Sequence, residues 1–376
     1  MESRNSQTGN HLLRLVIATC FLLIAVAAAW RVGTVAIFAL SAKTQPGAHA
    51  VVLEITKGLG PNEIAERLRS EGLISDPQLF LRLGRWMRQW KNIKAGEYQI
   101  NPSMTPLQIF SIITSGVSVN RPLVIREGQN IFEIATEIEL RGFGPKSRFI
   151  ELCRDPRFIA NSWAAAGMKE RAPSTLEGYL FPDTYFLNKR VPLEEIARRM
   201  VKRFASAWSD NERLRAAEIG FAARDVITLA SMIEKETGAA HERPVISSVF
   251  HNRLKKKMRL QSDPTTIYGI WEQFSGNLKK SDLHTSTPYN TYSIRGLPVG
   301  PISNPGKEAI LAALYPRETE YLFFVSRNDG THEFTRTFEE HAEAVRRFQM
   351  DPAARRGKSW RDLHTKPASG RDLGTP

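Results

Sequence analysis

The 376-residue sequence is poor in the residues that build many kinds of active site. It has two cysteines, Cys20 and Cys153. Cys20 lies in an apolar run, so an intramolecular disulfide is not expected, and two thiols exclude a thiolate metal cluster. The 8 histidines are scattered and form no HExxH, which removes the helical zinc hydrolases. No glycine-rich phosphate or dinucleotide signature is present, so nucleotide chemistry has no support. Ser231 lacks the flanking glycines of a nucleophile elbow. Any chemistry must therefore come from carboxylates.

Charge is plentiful and unbalanced. The net charge is +13, compatible with a nucleic acid, an anionic polymer or a membrane surface, but Arg and Lys are spread along the whole chain, as on a basic soluble surface. The long apolar run is concentrated at the N-terminus. Leu12 to Trp30 is apolar except for Arg14, Thr19 and Cys20, and Val32 to Leu40 continues it. About 20 such residues span a bilayer, and Arg14 near one end can snorkel to the interface. Ala27-Ala28-Ala29 leaves a cleaved signal peptide as the alternative. Arg4 and Arg14 before the core nearly balance Arg31 and Lys43 after it. The short N-tail favours an N-inside anchor with the bulk of the chain outside the cytoplasm.

The chain then divides by composition. Expected segments are a cytoplasmic tail (1–11), the anchor and juxtamembrane stretch (12–40), a linker with a small module (41–120), a larger domain (121–350) and a disordered polar tail (351–376). Val51 to Ile55 and Gly96 to Ile100 read as strands. Glu63 to Ser70, capped by Asn62, and Asp76 to Trp90 read as helices. The pattern Ile55-Thr56-Lys57-Gly58, Glu63-Ile64-Ala65, Leu68 to Gly72 recurs as Ile125-Arg126-Glu127-Gly128, Glu133-Ile134-Ala135, Ile138 to Gly142, with a fainter copy over Ile100 to Gly116. Each copy is half of a small βααβ unit. Further on, helices are expected over Phe149 to Lys169, Leu193 to Trp208, Asp225 to Glu236, Arg243 to Lys256 and Phe338 to Phe348. Asn328-Asp329-Gly330 is a hairpin turn. The fold class is α+β.

The carboxylates of interest end an apolar helix, Leu229-Ala230-Ser231-Met232-Ile233-Glu234-Lys235-Glu236-Thr237. Glu234 and Glu236 point roughly 160° apart, so they cannot act as a facing pair. The stripe Val226, Leu229, Ile233 places Glu236 next in line, while Ile227 and Ala230 draw the apolar centre toward Glu234, so periodicity leaves both open. An acid in apolar surroundings at a helix C-terminus has its pKa raised and can donate a proton near neutrality. Close by in sequence stand Asn252, Arg253, Gln261, Asp263, Tyr268, Tyr289, Asn290 and Tyr292, the mixture of amides, charges and aromatic faces that binds sugars. Tyr268 and Tyr292 fit a packed core as well. The loop Gly296 to Gly306 could wall a cleft.

These motifs together resemble the bacterial endolytic murein transglycosylases. Besides the glutamate motif, the resemblance rests on Asn252-Arg253, Gln261-Ser262-Asp263-Pro264, Tyr289-Asn290-Thr291-Tyr292, Gly296-Leu297-Pro298 and Leu176-Glu177-Gly178-Tyr179, in the family's order from about Val51 to Phe348. The resemblance implies a single-pass inner-membrane protein, a LysM-like module and a periplasmic α+β catalytic domain. It implies cleavage of the MurNAc–GlcNAc β-1,4 bond in nascent glycan strands, leaving 1,6-anhydro ends, without cofactor or metal. Glu236 matches the family's catalytic position, with Glu234 as the fallback. Wall-elongation or division synthases are partners by resemblance alone, and no nucleic acid is implied. The competing expectation is a non-catalytic periplasmic glycan-binding scaffold.

Overall fold

The structure is a computed structural model that describes residues 3–43 and 49–351, with side chains from residue 15. The expected tail after Asp351 and the centre of the linker lie outside the described residues. In chain order the helices and strands are α1 (Ser3–Leu40), β1 (Val51–Ile55), α2 (Pro61–Ser70), α3 (Pro77–Trp86), β2 (Gly96–Ile100), α4 (Pro106–Ser115), β3 (Arg121–Ile125), α5 (Ile131–Leu140), α6 (Lys146–Leu152), α7 (Pro156–Ala165), β4 (Asp183–Leu187), α8 (Leu193–Ala207), α9 (Asp210–Glu218), α10 (Ala223–Glu236), α11 (Arg243–Lys255), α12 (Asp263–Gly269), α13 (Lys307–Leu314), β5 (Phe323–Ser326), β6 (His332–Thr335) and α14 (Phe338–Val345). The fold is mixed α+β and mostly helical. Its strands form two-stranded sheets, β1 with β2, β3 with β4 and β5 with β6.

The chain forms two compact units, residues 1–122 with 186–190, and residues 123–185 with 191–376. In the first, β1 and β2 pair antiparallel, Val51 opposite Ile100 and Ile55 opposite Gly96. Leu53, Ile55, Ile64, Leu68, Phe80, Tyr98, Ile100, Ile109 and Phe110 form its core. The start of α2 differs from expectation. Gly60 is the N-cap and Pro61 opens the helix, whose fixed φ suits that position, while Glu63 accepts from the Gly60 amide at 2.7 Å. Asn62 is thus already inside the helix. The long apolar helix α1 contains one stretch, Leu15–Leu40, of the length and hydropathy of a membrane span or signal sequence.

The second unit is built around α10, whose residues Val226 to Ile233 are all buried. The single helix expected over Phe149 to Lys169 is two, α6 and α7, because Asp155-Pro156 breaks it. The Asp155 carboxylate caps the new start, accepting from the amides of Arg157 and Phe158. The repeat in the sequence is a repeat in structure. Gly58 and Gly128 turn out of β1 and β3 with positive φ, and Gly72 and Gly142 end α2 and α5 in the left-handed region. Leu73 and Phe143 then donate back to Leu68 and Ile138 in the same helix-ending pattern.

Candidate active site

Helix α10 ends in the second unit with its two glutamates in different surroundings. Glu234 is consumed by the scaffold. Its Oε1 pairs with Arg243 Nη2 at 3.0 Å and its Oε2 accepts from the Gly306 amide at 3.0 Å, at the start of α13. Only 6 % of its side chain is exposed. The loop Gly296 to Gly306, expected as a cleft wall, serves the same scaffold. The Ile302 amide donates to Ser231 Oγ, Ser303 Oγ donates to the Ser231 carbonyl, and none of the loop's residues lines the cleft beside Glu236.

Glu236 is half-buried and open on one side. It lines a cleft of about 540 Å³ with Arg253, Leu260, Gln261, Asp263 and Tyr292, closed opposite by β5, β6 and α14 through Phe323, Phe324, His332, Phe338 and His341. Burial pushes its carboxyl up to about 7; the Ser262 hydroxyl pulls it back, the Asp263 carboxylate adds to the rise, and Arg253 and Lys235 oppose it. Ser262 Oγ donates to Glu236 Oε1 at 2.5 Å. Ser262 is itself fixed: its amide donates to Thr291 Oγ1 at 2.9 Å, its carbonyl accepts from Thr265 Oγ1 at 2.6 Å, and the two threonine hydroxyls meet at 2.8 Å. A carboxyl held this way can give up a proton near neutral pH and take one back.

The other residues singled out in sequence fall into three groups. Arg253, Gln261, Asp263 and Tyr292 line the cleft with Glu236. Arg253 donates to the carbonyls of Leu322 and Leu260 and lies over the Phe323 ring, while Tyr292 donates to Asp263 Oδ1 at 2.6 Å. Asn252 and Asn290 are brackets: Asn252 Nδ2 donates to the carbonyls of Thr319 and Tyr321, and buried Asn290 is saturated by Leu283, Thr285, Thr266 and the Tyr292 amide. Tyr268 and Tyr289 line a separate cleft of about 320 Å³ with Phe132, Arg154 and Trp271. Tyr268 donates to Glu177 Oε2 at 2.9 Å. Glu177 is 0 % exposed, and burial pushes it up to about 8 even though Ile131, Tyr268 and Asn304 all donate to it. Sequence reasoning did not single out Ser262, His332 or His341 for the site; only the Gln261-Ser262-Asp263 motif pointed at the first.

The model of the YceG-like family matches residues 53–347. The chain belongs to the YceG-like family. A Bacillus subtilis (strain 168) member of similar sequence, an endolytic murein transglycosylase by name, is 32% identical over 313 residues, 79% of this chain and 84% of that protein. A Streptococcus pneumoniae (strain ATCC BAA-255 / R6) protein of the same name is 27% identical over 323 residues, which cover 78% of this chain and 58% of the longer relative. The crystal structure of a yceG-like protein from Listeria monocytogenes matches with TM-score 0.55 at 33% identity, covering 79% of this chain and 99% of that one.

Proposed function

We propose that this member of the YceG-like family is a lyase, an endolytic murein transglycosylase with Glu236 as its one acid and base. The observation that carries the reading is a half-buried carboxyl, pushed up to about 7, in the wall of a cleft of about 540 Å³ lined with Arg253, Gln261, Asp263 and Tyr292. Protonated Glu236 donates to the glycosidic oxygen between MurNAc and GlcNAc as the C1–O bond breaks. The resulting carboxylate takes the proton of the sugar's own C6 hydroxyl, whose oxygen closes on C1. The product is a 1,6-anhydro end, no water is consumed, and the proton balance on Glu236 is restored. Most glycoside hydrolases pair two carboxylates; Asp263, the other carboxylate lining this cleft, accepts from Tyr292 through Oδ1, and the end group of the product separates the two reactions. Arg253, Gln261 and Tyr292 orient the strand.

The rest of the chain fits a protein of the cell envelope. We read α1 as an uncleaved, N-inside inner-membrane anchor, residues 41–120 as linker and LysM-like module, and residues 121–350 as the periplasmic catalytic domain acting on peptidoglycan strands. Support comes from the apolar Leu15–Leu40 stretch and from the β1-α2-α3-β2 order with antiparallel outer strands. The test is the end group. The full-length protein is incubated with murein glycan in detergent and the fragments are read by mass spectrometry. Wild type gives anhydro ends, Glu236→Gln gives none while remaining folded, and Glu234→Gln keeps turnover in its folded fraction. Full activity in Glu236→Gln would move the role elsewhere, and no ends from wild type beside an active control would leave a glycan-binding scaffold.

A further inference from the structure

The end of α1 and the exposed face of α3 form a surface that the reaction does not use. From Leu15 to Val32 every side chain of α1 is exposed. From Val35 one face of the helix is covered, while Ile37 and Leu40 on the other stay exposed: Val35 and Ala39 pack with Leu83, Leu79 and Met87 of and just after α3, and Phe38 enters the module's core. The apolar run in the sequence of this helix, Leu12 to Trp30, is 19 residues long, roughly 28 Å of helix, close to the roughly 30 Å hydrocarbon thickness of a bilayer. Trp30, 75% exposed, and Arg31 stand at its end, where interfacial aromatics and snorkelling cations belong. The packed turns, Val35 to Ala39, begin about 6 Å beyond Arg31, so α3 sits at the depth of the lipid headgroups.

What α3 presents at that depth is suited to it. Trp86 is 61% exposed, and by helical rotation it lies within roughly 60° of Leu79 and Leu83, which touch α1. Arg82, Arg85, Arg88 and Lys91 are exposed around it. None of these four cations has an acidic partner among the described residues, and α3 itself contains no acid. Elsewhere in the chain arginines are repeatedly paired, as Arg199 is with Glu195 and Arg213 with Glu170. An exposed tryptophan inside an unpaired cationic cluster, beside the exit of an apolar helix, has the chemistry of an anionic lipid surface.

We infer that α3 docks the module onto the anionic lipid headgroups around α1, with Trp86 inserted at the interface and Arg82, Arg85, Arg88 and Lys91 contacting phosphates. The inference rests on α1 being a retained membrane span. The module is then held flat on the bilayer and does not swing on a tether.

The full chain is reconstituted into vesicles of phosphatidylcholine alone or with 30 mol% phosphatidylglycerol. One environment-sensitive fluorophore is placed on native Cys20, and another, in a Cys20→Ser background, on Trp86→Cys; Cys153 is buried and stays unlabelled. Expected results are quenching of the residue 20 label by chain-brominated lipid, and quenching of the residue 86 label by headgroup nitroxide. The second signal should at least halve in pure phosphatidylcholine and in Arg82→Glu/Arg85→Glu/Arg88→Glu. An unquenched residue 86 label with a quenched residue 20 label overturns the docking and leaves the span intact. An unquenched residue 20 label removes the span and the docking with it. Headgroup quenching that ignores both lipid charge and the triple reversal overturns the electrostatic part, and loss of murein binding in that variant without any lipid effect assigns the patch to the polyanionic glycan instead.

Discussion

Removing the hydroxyl of Ser262 should move the pH dependence of the reaction without dismantling the site. Ser262 Oγ donates at 2.5 Å to Glu236 Oε1 and so favours the ionised carboxyl. A hydrogen bond to a charged group contributes about 1.5–3 kcal/mol, and 1.36 kcal/mol corresponds to one pH unit. Glu236 is half-buried, so the lower end of that range applies, and Ser262→Ala should carry the carboxyl from about 7 to about 8 or somewhat above. The acid step needs the protonated form, so loss of a donor that favours the anion extends activity to higher pH. The backbone contacts of residue 262 to Thr291 and Thr265 survive the substitution, which limits any collapse of the turn. The assay is kcat/KM for release of anhydro-ended fragments between pH 5 and 9.5, whose alkaline midpoint reports the free enzyme's acid. Wild type should lose half its plateau near pH 7 and the variant near pH 8, leaving the variant the less diminished of the two, relative to its own plateau, at pH 8. An alkaline midpoint that stays in place or falls refutes the reasoning, whatever happens to the plateau.

Other consequences follow from the same geometry. Glu234→Gln leaves Arg243 with a buried, weakly paired guanidinium, so urea unfolding should show a loss of about 2–4 kcal/mol; a loss under 1 kcal/mol contradicts the scaffolding role. Glu177 binds its proton more tightly folded, at about 8, than unfolded, near 4.5, so its contribution is complete at acid pH and disappears as pH rises from 4.5 through 8. That is up to about 5 kcal/mol, and Tm should fall across this range with a shallower slope in Glu177→Gln; an identical slope in the variant would remove Glu177 as the cause. Gly178→Ala would place a methyl 2.5 Å from Pro301 at a φ of 89°, costing about 3 kcal/mol or more by denaturant unfolding, and a variant within 1 kcal/mol of wild type refutes the close approach.

How much of this was legible in the sequence depends on how local its cause is. β1 and β2 have the bounds read from their residues, and Asn328-Asp329-Gly330 does turn β5 into β6, because alternation and turn chemistry act within a few residues. Helices α12 and α13 escaped notice, being 7 and 8 residues long inside proline- and glycine-rich stretches with too few turns to show a period. Periodicity could not choose between Glu234 and Glu236, since the difference lies in Arg243, in Gly306 and in Ser262, brought together only by the fold. Residue type likewise could not distinguish an asparagine free to meet a sugar from Asn290, whose groups are already occupied by its own loop. The far wall of the cleft comes from β5, β6 and α14, some ninety residues beyond Glu236, and no local pattern linked the two.

The repeated turn has a consequence for how the two copies can change. A side chain added at Gly58 would meet nothing within 4 Å. The equivalent Gly128, seventy residues later, donates to the Asn304 carbonyl and accepts from Lys235 Nζ, and a side chain added to it would come within 4 Å of Glu234 and Lys235. Both turns need a glycine for their positive φ, but only the second is also locked by its neighbours. An inserted loop, tag or fluorescent protein has room at the first turn provided a glycine keeps the positive φ there, whereas one residue added at the second should displace the end of α10 and with it the glutamate two positions further along.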